Sequence, residues 1–204
     1  MDCVMDSRVI AELILHLGRI ASGDGLVGGL TPGQWAVLRY FARANRFSRT
    51  PSAFAAFHGT TRGTASQAIK GLVAQGYMRQ TRSETDGRSV RLDLTDKARA
   101  IIANDPIEVL ARAADALPTG QRGSFAAVLQ RMLGQVASET GRPFFGTCET
   151  CAHFQDDGCC GGGLPAYACG LVNQPLIEQE LHELCINFTS DRPQPPRASS
   201  TGTA

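Results

Sequence analysis

The sequence predicts a mainly α fold with a small β-wing, built around a winged helix-turn-helix and ending in a cysteine-rich extension. Three observations carry this reading. Residues 50–95 read as a short helix, a tight turn, a second helix and two alternating strands joined by a polar loop. Amphipathic stretches at helical spacing lie on both sides of that block. Six of the seven cysteines crowd between Cys148 and Cys185.

The composition permits this. A chain of 204 residues can bury a sizeable core and carry a small appendage. With 43% hydrophobic and 19% charged residues it is a folded chain and not a disordered one. The net charge of +1 conceals an asymmetry: residues 46–99 hold 10 Lys/Arg against 4 Asp/Glu, whereas residues 144–204 hold 2 against 7. Basic charge therefore sits on the helix-turn-helix block, as a nucleic-acid interface requires. No apolar run approaches the roughly 20 residues of a membrane span. The N-terminus, with Asp2 and Asp6, lacks a signal pattern, so a cytoplasmic protein is expected. In a reducing compartment, crowded cysteines point to metal or redox chemistry before disulfides.

Each element has a local cause. Val9, Ile10, Leu13, Ile14, Leu17 and Ile20 make an amphipathic first helix over residues 5–21. Thr31-Pro32-Gly33-Gln34 offers a capping box with proline at the first helical position, and the helix it opens carries Trp35, Val37, Leu38 and Phe41. Trp35 is expected to anchor the core. Thr50-Pro51 repeats the cap signal for a short helix bearing Phe54 and Phe57, which Gly59 ends. Thr60 or Thr61 caps the next helix. Its apolar stripe is Ala65, Ala68, Ile69, Leu72 and Val73, and its opposite face presents Arg62, Gly63, Ser66, Gln67 and Lys70. Such side chains donate to phosphates and base edges, and a helix N-terminus favours phosphate. Residues 77–82 and the alternation Val90, Leu92, Leu94 make the two strands, with residues 83–88 as a wing tip. Arg88 can enter a narrow minor groove, or pair with Asp86 to hold the wing. Thr95 caps a further helix, Asp105-Pro106 kinks or restarts it, and Thr119 is expected to cap a last one carrying Phe125, Val128, Leu129, Met132, Leu133 and Val136.

The succession LTPGQWAVL, TRGTASQAIKGLVAQGYMRQ and DGRSVRLDLTDKA resembles the MarR family of bacterial winged-helix regulators over roughly residues 5–140. Its most specific parts are Asp86 and Arg88 in the wing and the Leu94-Thr95 pair. The resemblance implies a homodimeric transcriptional regulator, a repressor that binds a pseudo-palindromic operator, and no enzyme activity. It also implies that the second helix of the motif reads the major groove, the wing touches the minor groove, and a small aromatic effector can bind between DNA-binding lobe and dimer arm, near Trp35 and Phe41. The expected DNA-binding residues are Thr61, Arg62, Gly63, Thr64, Ser66, Gln67, Lys70, Arg82, Asp86 and Arg88. One departure is His58, before a long Gly59-Thr60-Thr61 turn, where the family often has an aliphatic residue. The expected organisation is a dimerisation helix in residues 1–30, the DNA-binding domain in 31–95, dimerisation helices in 96–141, a metal-binding segment in 142–190 and a disordered tail in 191–204.

The resemblance does not reach the cysteines. Cys148 and Cys151 form a C-x2-C pair, Cys169 follows after 17 residues and Cys185 after 15 more, with the doublet Cys159-Cys160 between. Four thiolates in a segment of low apolar content argue for a metal clip. Zinc accepts four cysteines, and so does an iron–sulfur cluster. The cluster is the preferred expectation, because Phe144, Phe145, Phe154 and Phe188 can shield it and surplus Cys159 and Cys160 suit ligand exchange. Cys148, Cys151, Cys169 and Cys185 are the expected ligands. A helix from Pro175 is expected to bury Cys185 with Leu181, and His153 and His182 are expected not to ligate. The signal is expected to reach the DNA reader through the dimer arm, which adjoins the cysteines in sequence.

Overall fold

The computed structural model describes residues 6–22, 28–82, 90–156 and 166–190. Seven α-helices precede the cysteine unit among these residues: α1 (Ser7–Ser22), α2 (Pro32–Arg43), α3 (Pro51–His58), α4 (Arg62–Ala74), α5 (Asp96–Ile102), α6 (Glu108–Asp115) and α7 (Thr119–Thr140). Strands β1 (Met78–Arg82) and β2 (Val90–Leu94) pair antiparallel between α4 and α5, with Gln80 opposite Leu92. This is the mainly α, winged-helix architecture expected from the sequence.

The helix starts follow their caps. Thr31 accepts the Gln34 amide and Gln34 Oε1 accepts the Thr31 amide, closing the capping box. Thr50 caps α3 through the Ala53 amide at 3.2 Å, and Thr61, not Thr60, caps α4 through the Thr64 amide at 3.1 Å. Gly59 ends α3 at φ +61°, a left-handed conformation that favours glycine. A Cβ there would also lie 2.6 Å from the Arg142 guanidinium, the free end of a flexible side chain that can move aside, so the backbone conformation is what excludes a side chain. Asp105-Pro106 separates α5 from α6, and Asp105 Oδ1 accepts the Ile107 amide at 2.9 Å. Thr119 is the first residue of α7 and provides no cap; Pro118 holds that place.

The core lies between α2, α3, α4 and the wing. Trp35, Leu38, Phe41, Phe54, Ala65, Ile69, Leu72, Met78 and Leu92 are all buried there. Trp35 is the anchor expected of it. Tyr40 lies edge-on to Phe54 at 5.5 Å, and His58 packs on Phe54 at 4.6 Å, which settles how the departure at the turn is accommodated. Desolvation against these rings lowers the His58 pKa, an effect partly opposed by a backbone hydrogen bond with Ala36.

The flanking helices are built differently. In α1 only Ala21 is buried, and α7 buries nothing. Leu13, Leu17 and Ile20 on α1, and Phe125, Val128, Met132, Leu133 and Val136 on α7, all face outward. An intrachain helical hairpin would cover these stripes, and the described chain leaves them bare. Exposed apolar area on this scale marks an interaction surface.

The cysteine unit follows Gly141, whose φ of +64° closes α7. It contains a 3-10 turn (Cys148–Thr150), a three-stranded antiparallel sheet of β3 (Phe154–Asp156), β4 (Tyr167–Cys169) and β5 (Gln174–Leu176), and a second 3-10 turn (Glu178–His182). The helix expected from Pro175 is absent from these described residues. Pro175 sits inside β5, the 3-10 turn is stabilised by Glu180 Oε2 accepting the Ile177 amide at 3.1 Å, and Ile177 is 60% exposed. Leu184, Cys185 and Phe188 lie beyond any helix. Cys185 is buried because an extended backbone carries it past Gly146 and Ala44, not because it shares a helix face with Leu181.

Candidate functional site: a recognition helix and a thiol-lined cavity

Two surfaces carry chemistry. The first is the outer face of α4. Ala65, Ile69 and Leu72 point into the core, which forces Arg62, Gly63, Thr64, Gln67 and Lys70 to solvent, with Ser66 half-buried beside them. Thr61 completes the N-terminus, where free amides stand beside Arg62. Arg79 extends the basic surface onto the wing. Arg82 ends β1, and its side chain lies outside the described residues, as do the wing-tip residues Asp86 and Arg88.

The second is a cavity. Cys148, Cys151, Cys169 and Cys185 all line it, although they come from four separate places: a 3-10 turn, the residue after it, β4 and the final extended stretch. Cys148 and Cys185, 37 residues apart in sequence, meet there. The four thiols are free, with Cys148 and Cys185 buried. Among the described residues, no group of three or more His, Cys, Asp or Glu side chains stands arranged to hold a metal ion. Cys159 and Cys160 lie outside the described residues.

The electrostatics of the cavity oppose bare thiolates. Burial pushes the Cys148 thiol up to about 11, and Cys185, Cys151, Cys169 and Glu180 push it in the same direction. Cys148 accordingly keeps its proton and offers it to the Glu180 carbonyl at 3.9 Å. Cys185 is also raised by burial, and the Asn45 amide and the Asn187 backbone oppose that rise. Four thiolates here would need a cationic centre to balance them, and a bound metal is the chemistry that supplies one.

Sequence reasoning named the thiols and missed their neighbours. Asn45 and Phe47, from the corner between α2 and α3, line the cavity, as does His153. His153 bonds Thr189 Oγ1 at 3.1 Å. His182 instead faces Glu149 at 3.4 Å on the surface. Of the four phenylalanines expected to shield a cluster, only Phe154 lines the cavity, stacked on Tyr167 at 5.8 Å. Phe145 belongs to the helix-turn-helix core, 4.9 Å from Phe57, and Phe144 pairs with Phe188 at 5.6 Å.

The cysteine unit is docked on the DNA-binding fold, which corrects the expectation that it reaches α4 through the dimer arm alone. The Leu184 amide donates to the Arg43 carbonyl and the Asn45 amide to the Leu184 carbonyl, at 2.6 and 2.9 Å. Ile186 packs against the main core, while Phe47 packs into the cysteine unit. Arg46 pairs with Glu180 at 3.4 Å and donates to the Pro175 carbonyl. Arg49 pairs with Glu183 at 3.5 Å and with Asp93 of β2 at 3.2 Å.

The helix-turn-helix, its two-stranded wing and the solvent-facing α4 define a winged-helix fold. Residues 28–89 match the family model described as MarR family. The chain is similar to the transcriptional regulator SlyA (23% identity over 65% of this chain and 94% of that one, TM-score 0.51). It is also similar to MepR of S. aureus, solved as a DNA complex (16% identity, 67% and 99% covered, TM-score 0.52). A MarR regulator from Methanosarcina mazei Go1 matches at 26% identity over 66% and 97% of the two chains, TM-score 0.48. The likeness to SlyA and MepR shows the fold. No curated protein sequence matches the chain. No described helix is long and apolar enough to cross a membrane.

Proposed function

We propose that the protein is a homodimeric repressor that binds a pseudo-palindromic operator through α4 and the wing. Its affinity is modulated by an iron–sulfur cluster held by Cys148, Cys151, Cys169 and Cys185. The observation that carries this reading is the single cavity that gathers four cysteines from distant places against the corner that opens α3. The bare apolar stripes of α1 and α7 support the dimer, which spaces two recognition helices about 10 bp apart.

Four cysteines around one cavity suit a metal centre, and both zinc and an iron–sulfur cluster accept such a set. Zinc binds four sulfurs at about 2.3 Å and draws them close together. An iron–sulfur cluster takes the same four thiols on two or on four irons. The residues present fit such a group: four thiols, apolar walls from Phe47 and Phe154, and an amide donor at Asn45. When bound, the cluster would supply a centre whose charge changes with oxidation or loss. This chain's own residues hold it against the Asn45–Arg49 corner and shield it on one side.

The experiment is an absorption spectrum with iron, sulfide and zinc analysis of protein purified without oxygen, followed by operator titration of holo- and apo-protein. Iron and sulfide in equal amounts, visible absorption lost in Cys151→Ala, and unequal affinities are expected. A colourless protein with one zinc per chain would replace the cluster by inert structural zinc, leaving a small aromatic molecule as effector. Equal operator affinities of the holo and apo forms would remove the sensing role.

A further inference from the structure

Asn45 is wholly buried, lines the cysteine cavity and has a side-chain nitrogen with no hydrogen-bond partner. Its orientation is dictated from the other side. Asn45 Oδ1 accepts the Ser48 amide at 3.1 Å and the Ser48 hydroxyl at 2.7 Å. A flipped amide would set its NH2 against the Ser48 N–H donor, so Nδ2 must face away from Ser48. There it faces the cavity that Cys185 also lines. A buried amide nitrogen without a partner is costly, and nature seldom leaves one.

Ser48 is the other end of the contact. Its hydroxyl accepts the Ile186 amide at 2.8 Å, one residue past Cys185. Its carbonyl accepts both the Tyr40 hydroxyl and the Thr50 amide at 2.8 Å, and Thr50 caps α3. The next residue, Arg49, accepts the Leu92 amide of the wing on its carbonyl at 3.1 Å. One turn of chain therefore touches the cavity, the first helix of the motif and the wing.

We infer that Asn45 donates a hydrogen bond to the sulfur of the group held by the four cysteines, and that the Asn45–Ser48 corner passes the state of that group to α3 and the wing within one subunit. Asn45 is a positioning residue for the bound group and Ser48 the relay. This rests on reading the four cysteines as an iron–sulfur site. Hydrogen bonds to cluster sulfur stabilise the more electron-rich reduced form, so the amide raises the reduction potential.

The test uses full-length protein purified without oxygen, comparing wild type, Asn45→Asp and Ser48→Ala. Asn45→Asp keeps an acceptor for Ser48 but loses the donor, and is expected to lower the cluster potential. Ser48→Ala touches no ligand, and is expected to keep the wild-type spectrum and potential. Its holo-to-apo ratio of operator affinity should collapse to within about twofold, from the roughly 5- to 150-fold typical of allosteric coupling. The dimer dissociation constant should be unchanged in Ser48→Ala. A wild-type potential in Asn45→Asp, or a full affinity ratio in Ser48→Ala, overturns the inference while leaving the cluster reading intact. Wild-type protein holding zinc or no metal overturns both. If Asn45→Asp fails to fold, Ser48→Ala alone decides the relay.

Discussion

Truncating Arg39 tests how the DNA-binding fold is tied to the helices after it. Arg39 on α2 forks the Asp105 carboxylate, with Nε 2.8 Å from Oδ2 and a terminal nitrogen 2.5 Å from Oδ1. The guanidinium also lies 5.7 Å from the centre of the Trp35 ring. Asp105 is 5% exposed against 24% for Arg39, so the carboxylate is the buried partner. In Arg39→Ala that carboxylate keeps only the Ile107 amide. Breaking a fully buried pair costs about 3–5 kcal/mol. Water reaches the quarter-exposed Arg39 position and screens the loss, so about 2 kcal/mol is expected. For a chain of this size that lowers Tm by about 4–8 °C. Urea and thermal unfolding at one fixed protein concentration measure it, because dimerisation would otherwise contribute. Asp105→Asn in the Arg39→Ala background removes the stranded charge, and should recover part of the loss. An Arg39→Ala protein within about 0.5 kcal/mol of wild type, the range of an ordinary surface substitution, would refute the assignment of this pair as a structural tie.

Two further outcomes test the interfaces. If the proposed dimer contacts phosphates through α4, Arg62→Ala and Lys70→Ala each remove one partner per copy, so each should flatten the plot of log affinity against log salt by about 2. An unchanged slope would take that face out of the DNA contact. Met132→Glu places a charge on the apolar stripe of α7 and should shift sedimentation from dimer to monomer, with operator affinity falling in step. A dimer of wild-type strength would put the subunit contact elsewhere.

The sequence alone determined what short-range chemistry controls. Thr31, Thr50, Thr61 and Thr95 each start a helix because a side-chain oxygen meets an amide three residues on, a relation contained in four consecutive residues. The stripe of Ala65, Ile69 and Leu72 decides which face of α4 is buried, and hence that Arg62, Gln67 and Lys70 face outward. The same short-range logic failed from Pro175 onward, where Ile177, Leu181 and Cys185 matched a helical period that the chain does not adopt. There, contacts with Arg43, Ala44 and Gly146 hold the chain extended, and tertiary hydrogen bonds outweigh a weak local preference. The cysteines were legible as a set because thiols are rare and chemically distinct. Asn45 and Ser48 were not, since a buried asparagine and serine look like any loop pair until Cys185 and Ile186 arrive from 138 residues away. Only the tertiary structure decided that the cysteine unit sits on the corner opening α3. Sequence adjacency follows the covalent chain, whereas coupling follows packing and hydrogen bonds, and the two part company at that corner.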